Sequence, residues 1–401
     1  MTVITEESRI PRQAPPDAAV QGATPARDAA SAPAPVVRGI ADIADGRGFL
    51  RVSAGVRSPG DVPLTSAQIK HYGLRKGDLI EATVASRDGS GKRGGKALAS
   101  VETVNGMPSG TSRKRRRFEE LTPVYPNERL RLEAGDPSPA ARIIDLITPI
   151  GKGQRGLIVA PPKAGKTMVL KTIARAIAQA YPDIHLMMVL VGERPEEVTD
   201  LKRSVTSAEV IYSTFDQAPA DHVRAAELAV ERAKRLAELG RDVVVLLDSL
   251  TRLGRAYNLA APSSSRTLSG GVAASALQPP RQFLGAARCL EEGGSVTILS
   301  TALVDTGSQL DNVLFEEFKG TGNMELRLRR DLAEKRLFPA IDAVPSGTRR
   351  DDLLMDPAEH AATTKLRRAL AALDPQHAIE LLIDKTKTDI PNEGWLLRSA
   401  Q

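Results

Sequence analysis

The sequence is short of the residues that staple or stack. Its 401 residues include one cysteine, Cys289, so an internal disulfide and a disulfide-stapled secreted scaffold are excluded. No Cys/His cluster has the spacing of a zinc site. The longest apolar runs, Leu186–Val191 and Val243–Leu247, fall far below the roughly 20 residues that a membrane-spanning helix needs. The N-terminus has no basic start followed by an apolar stretch, so no secretory signal and a cytoplasmic location are expected. Aromatic residues make up only 3% of the chain, which restricts where nucleic-acid bases can stack.

The residues that are present describe a basic globular protein. Hydrophobic residues make up 41%, enough for an ordinary core. Lys and Arg number 55 against 49 Asp and Glu, a formal net charge of +6. That charge alone is a weak sign of nucleic acid, since solvated surfaces are often basic.

The composition changes along the chain. Residues 1–38 are rich in Ala, Pro and small polar residues and cannot bury enough surface to offset ordering entropy, so a disordered tail is expected. Residues 39–106 carry short apolar runs (Phe49–Val52, Leu79–Val84, Ala97–Val104) between Gly, Pro and Asp clusters, the pattern of a small all-β barrel. Residues 107–125 read as a basic linker containing Arg113-Lys114-Arg115-Arg116-Arg117, either solvated or in contact with RNA. From 126 to 401, apolar strand-like runs alternate with amphipathic stretches such as Ala218–Leu239, which predicts βαβ units around a parallel sheet.

The sharpest motif is Ala160-Pro161-Pro162-Lys163-Ala164-Gly165-Lys166-Thr167. It comes after an apolar strand, precedes a helical stretch, and matches the phosphate-loop pattern except that Ala160 replaces the first glycine. Loop N–H groups and the helix N-terminus make a concave donor site for phosphate oxygens; Lys166 adds a cation, and the Thr167 hydroxyl suits Mg²⁺. Val243–Asp248 is an apolar strand ending in a carboxylate, the form of a strand that holds the metal shell. The strand Leu186–Val191 runs into Gly192-Glu193-Arg194-Pro195-Glu196-Glu197. Glu196 and Glu197 suit the opening of a helix, whereas Glu193 at the strand end is the better candidate to polarise an attacking water.

Five blocks in order, APPKAGKT (160–167), ERPEEVTD (193–200), DSLTRLGRAYN (248–258), FLGAARCLEEGG (283–294) and EEFKGTGNMEL (316–326), resemble the Rho family of transcription termination factors. The resemblance implies a RecA-like α/β P-loop NTPase domain behind a small N-terminal OB (cold-shock-like) barrel. It implies a homohexameric, ATP-driven RNA helicase that binds single-stranded nascent RNA and acts on the RNA polymerase elongation complex, with no role at a membrane. ATP and Mg²⁺ are the implied cofactors.

The resemblance assigns residues as well. Pro162, Lys163, Ala164, Gly165, Lys166 and Thr167 line the phosphates, with Thr167 and Asp248 at the metal. Glu193 is the catalytic base and Arg194 senses the γ-phosphate. Arg349 is an arginine finger reaching a neighbouring subunit, Arg336 a second inter-subunit arginine, and Met168 and Phe338 sandwich the adenine. RNA contacts fall on Phe49, Arg51 and Asp61 of the barrel, and on channel loops carrying Arg266, Thr267, Ser269, Thr306, Gln309 and Lys319.

Departures from the family pattern are informative. Gln309 stands where the family has Lys, removing a charge. In the barrel, Gly46-Arg47-Gly48-Phe49-Leu50-Arg51 keeps one aromatic and puts Arg47 where a second ring is usual, and two further tyrosines are missing. An arginine plane such as Arg51 can stack or pair with phosphate. Weaker cytosine selectivity and steeper salt dependence are expected. Two other readings remain: another rotary-type RecA ATPase, and an RNA-binding regulator with weak ATPase activity.

Overall fold

The computed structural model describes residues 35–53, 57–86, 96–262, 264–388 and 390–400. The expected disordered tail therefore lies almost wholly outside the described residues.

The first part is antiparallel. It contains β1 (Val36–Ala44), β2 (Arg47–Arg51), β3 (Val62–Leu64), α1 (Ser66–Tyr72), β4 (Leu79–Ser86), β5 (Lys96–Val104) and β6 (Met107–Pro108). The strands form a six-stranded sheet in the order β3-β2-β1-β4-β5-β6, which curls until β3 lies against β5. Alternation drives the curl: Leu50, Val62, Ile80, Ala82 and Val104 face inward and are fully buried. Thr65 caps α1 reciprocally with Gln68, whose amide also donates to the Leu98 carbonyl and pins the helix to β5.

The segment expected to be a linker is folded. A 3₁₀ turn at Ser109–Lys114 leads to β7 (Pro123–Val124). Part of the arginine run is folded into the protein, whereas Arg113, Arg116 and Arg117 remain exposed. Arg115 forms a buried two-pronged ion pair with Asp78 at 2.6 and 2.8 Å, Arg113 donates to the carbonyls of Lys70 and His71, and Arg116 lies 3.5 Å from Glu292. These contacts tie the first sheet to the rest of the chain.

The remainder contains β8 (Arg129–Leu130), α2 (Pro139–Ile147), β9 (Ile150–Gly151), β10 (Arg155–Ala160), α3 (Lys166–Ala180), β11 (His185–Glu193), α4 (Pro195–Ser204), β12 (Glu209–Thr214), α5 (Pro219–Ala237), β13 (Asp242–Asp248), α6 (Leu250–Ala260) and α7 (Gln278–Gly285). It continues with β14 (Arg288–Leu290), β15 (Ser295–Leu303), α8 (Gln309–Lys319), β16 (Met324–Leu328), α9 (Arg330–Glu334), β17 (Ile341–Thr348), α10 (Pro357–Ala371), α11 (Pro375–Thr386) and α12 (Asn392–Ala400). The main sheet has nine strands along the path β12-β11-β13-β15-β10-β16-β17, with β14 on β15 and β7 on β14. From β12 to β16 the path is parallel, and β17 closes it antiparallel. β10, β11 and β13 are mainly apolar runs because helices cover both faces, while the middle strand β15 also buries Ser295, Thr297, Ser300 and Thr301. One core packs α2 and α3 on one face and the other packs α5 and α6 on the opposite face.

The curled sheet rests on α5. Gly77, at a φ of +89°, brings its backbone so close to this helix that an added Cβ would lie 2.4 Å from the Glu231 carbonyl carbon. Arg232 donates to Asn105 at 2.8 Å, Arg75 pairs with Glu238 at 2.8 Å, and Lys76 pairs with Glu227 at 2.8 Å. Among the described residues no helix is long and apolar enough to cross a membrane.

Candidate functional site

Parallel topology brings the C-terminal ends of β10, β11, β13 and β15 to one edge of the sheet, where ligands bind in open α/β folds. β10 ends at Ala160 and a five-residue loop leads to α3. Lys163 and Gly165 both take left-handed φ values, +69° and +92°, which turns the loop so that Gly165 caps the helix. Lys166 is the first helical residue. Its Nζ lies 2.5 and 2.6 Å from the carboxylate oxygens of Asp248, at the end of β13, and 3.4 Å from Glu193, the last residue of β11. Three motifs, two of them 82 positions apart, converge on one ammonium.

The surroundings set the electrostatics. Glu193 and Asp248 are 2% and 1% exposed. Burial pushes both carboxyls above the usual carboxylate range, and Lys166 opposes that rise at each. Glu197, one turn into α4, raises Glu193 further, whereas Arg252 of α6 draws it down. The Arg252 Nε sits 3.5 Å from the Glu193 carboxylate while its guanidinium donates to the Gly192 carbonyl. Thr301 of β15 donates to Asp248 at 2.8 Å. Arg252 and Thr301 are partners that the motifs do not reveal; Arg252 does lie within the 248–258 block, one helical turn past Asp248.

Other residues frame the loop. Met168 and Phe338 are 62% and 50% exposed. A Cβ added at Gly165 would lie 3.6 Å from the Phe338 ring, so that ring stands over the loop. Pro162 and Lys163 are exposed, Ala164 is buried, Thr167 is half-buried in the first turn of α3, and Arg194 is exposed immediately after Glu193.

The two arginines expected at subunit boundaries lie at opposite edges of the sheet. Arg336 comes just after α9, beside Phe338, on the phosphate-loop edge. Arg349 comes just after β17, whose Thr348 pairs with Met324, which in turn pairs with Gly156 at the start of β10. The whole length of β10, about 17 Å, separates Arg349 from its own loop. Arg349 instead lines a 330 Å³ pocket with Lys319 and Arg367.

The channel-loop residues divide in the same way. Leu268 donates to Val272 at 2.7 Å and Asn258 holds Gly271 and Ala273, so the 266–273 segment is a closed loop presenting exposed Arg266, Thr267 and Ser269. Gly270 nestles against α8, where an added Cβ would be 3.2 Å from the Gln309 carbonyl. Gln309 is exposed there. Thr306 is committed to the turn: it donates to Asp311, which also takes both prongs of Arg255. Lys319 lies at the far end of α8, about 15 Å from Gln309, and not beside the loops.

On the barrel, Phe49 is 45% exposed in a 430 Å³ cleft. Arg51 is not the open plane expected of it. It is buried between Asp42 and Asp61, each at 2.7 Å, and Asp61 also accepts from the backbone of Ser58. Its guanidinium lies 5.0 Å from the Phe49 ring centre, so the Asp–Arg–Asp chain supports that ring from one side.

Residues 37–109 match the Rho termination factor RNA-binding domain, and residues 140–348 match the nucleotide-binding domain of the ATP synthase alpha/beta family. Over its whole length the chain is 54% identical to the transcription termination factor Rho of Streptosporangium roseum, covering all of that protein. The chain belongs to the Rho family of transcription termination factors. It is 52% identical to the Streptomyces coelicolor Rho over 92% of this chain and 87% of that protein. It is 56% identical to the Micrococcus luteus Rho over 90% of this chain, but spans only about half (53%) of that longer protein. Among solved structures, a prototypical ATPase from the type III secretion system of pathogenic bacteria superposes with a TM-score of 0.59 at 23% identity, covering 70% of this chain and 87% of that one. The assembled ATPase EscN from the enteropathogenic E. coli type III secretion system gives 0.59 at 21%, covering 81% and 92%. These likenesses show the shared nucleotide-binding fold of the Rho-family chain.

Proposed function

We propose that this chain is an RNA-dependent ATPase and translocase that binds single-stranded nascent RNA and terminates transcription. The observation that carries the reading is Lys166 held between Asp248 and Glu193 at the mouth of a phosphate loop, in a chain whose first sheet offers an exposed ring in a cationic cleft. We propose the division into residues 39–106 for the RNA-binding barrel, its sheet extended by the paired ends 36–38 and 107–108, then up to 125 for the connection and 126–401 for the motor, in a cytoplasmic homohexamer that engages the RNA polymerase elongation complex.

The donor set suits the nucleotide and its metal. Thr167 and Asp248 offer the few hard oxygen ligands that Mg²⁺ takes from protein in such sites. Phe338 over Gly165 and exposed Met168 offer apolar surfaces for a purine. When bound, Mg²⁺ neutralises charge building on the transferred phosphoryl group. Lys166, Lys163 and the loop N–H groups hold phosphate oxygens. The buried carboxylate of Glu193, flanked by Arg252, orients and deprotonates water. Arg194 is placed at the start of α4 to sense the γ-phosphate. Arg349, remote from its own loop, suits insertion into a neighbouring subunit's site, and Arg336 suits the boundary beside Phe338. Exposed Arg266, Thr267, Ser269 and Gln309 bind RNA independently of sequence, Thr306 shapes their loop, and Lys319 acts at the Arg349 edge.

The test is ATP hydrolysis by the purified chain with and without a panel of RNA homopolymers. RNA-stimulated turnover is expected, and its absence would overturn the reading.

A further inference from the structure

The cleft around Phe49 has two walls of different origin. One is barrel: Arg47, Phe49 and Arg57. The other is the motor helix α5, which contributes Arg224 and Glu227. The barrel is thus only half of this cleft.

Charge in the cleft is unevenly committed. Arg51 is neutralised by Asp42 and Asp61, and Lys76 by Glu227. Arg47 and Arg57 are exposed. Arg224 donates through Nη1 to Asp221 at 2.6 Å, one turn earlier on the helix, while its Nε lies 3.9 Å from Asp42 of β1, beyond hydrogen-bond reach. Asp221 pairs with the Arg224 charge as Glu227 does with Lys76, but the guanidinium spans towards the barrel wall with Nε and Nη2 making no hydrogen bond among the described residues. A strand of nucleic acid lying on Phe49 has cations on both flanks, and the motor-side cation is Arg224.

We infer that Arg224 of α5 contacts the phosphate backbone of single-stranded RNA seated on Phe49, so that the barrel's RNA cleft is completed by the motor. A guanidinium suits this role because its fork of donors matches phosphate oxygens even while one donor is tied to Asp221. The contact also places RNA on a helix whose first turn reaches the nucleotide site. His222 lies 2.6 Å from Ser213, and its other ring nitrogen faces Gly192, directly before Glu193.

The inference rests on the proposed RNA-binding role of the barrel, and the experiment separates the two. A labelled single-stranded oligouridine is titrated with the wild-type chain, Arg224→Gln, Arg224→Lys and Phe49→Ala across a series of salt concentrations without nucleotide. Arg224→Gln is expected to weaken binding about 5–10-fold at low salt and to flatten the log–log salt slope by about 0.7, the loss of one phosphate contact. Arg224→Lys restores the slope. Unchanged affinity and slope in Arg224→Gln, with Phe49→Ala weakened, would overturn the role of Arg224 alone. Equal weakening by Gln and Lys with an unchanged slope would reduce Arg224 to a helix-stabilising partner of Asp221 and overturn it too. No RNA binding by the wild-type chain would overturn both readings.

Discussion

At the residue scale, the proposed chemistry rests on two buried carboxylates that share one lysine. Glu193→Gln keeps the shape and removes the basic oxygen, so ATP hydrolysis is expected to fall about 10²–10⁴-fold with ATP binding retained, checked by turnover and by nucleotide titration. The pH dependence comes from the burial that raises Glu193. A base with a raised pKa releases its proton later, so the acid limb of kcat/KM is expected above the ordinary Glu value of about 4.3, and activity climbs as pH rises through it. Glu197 contributes to that rise, so Glu197→Gln is expected to shift the limb to lower pH, as a pH–rate profile would show. On the barrel, one ring serves where stacking usually takes several. Each missing base–ring contact forgoes about 1–3 kcal/mol. Oligo-C and oligo-U are therefore expected to bind with similar strength, with affinity falling steeply as salt rises; a strong oligo-C preference that survives high salt would contradict this.

At the element scale, α5 carries the barrel. Gly77→Ala combines a left-handed backbone with a Cβ 2.4 Å from the Glu231 backbone, so a loss of about 2–4 kcal/mol is expected in denaturant unfolding. Arg115→Met strands a fully buried Asp78 carboxylate and is expected to cost about 3–5 kcal/mol by the same measurement. These elements also separate the legible from the hidden. β10, β11 and β13 are readable in the sequence because each is an apolar run closed by a residue of chemical use, Lys166 past the loop, Glu193, or Asp248. The basic segment 113–117 is not, because a run of arginines reads the same whether solvated or folded against a buried aspartate 37 positions from Arg115. Arg51 looks open in the sequence for the same reason: Asp42 and Asp61 are ordinary residues until the sheet sets them on either side of it. Arg252 and Thr301 reach the carboxylates only through strand order, which no local pattern encodes.

At the scale of the whole molecule, the sheet separates the parts of one reaction. The phosphate loop opens at one end of β10 and Arg349 stands near the other, so the proposed shared site needs two copies placed edge to edge. Mixing Glu193→Gln with Arg349→Ala is expected to recover activity that neither has alone, because some boundaries then pair an intact base with an intact arginine; failure to complement would argue against the shared site. The proposed RNA cleft obeys the same logic on a smaller scale, being built from two walls that only the folded chain unites. Arg349's distance from its own loop bears on cellular economy. If the site is shared as proposed, a subunit diluted from its partners binds ATP without consuming it. Specific activity should therefore rise with protein concentration until rings are complete, so supply of the subunit itself acts as a threshold that spares fuel when the protein is scarce.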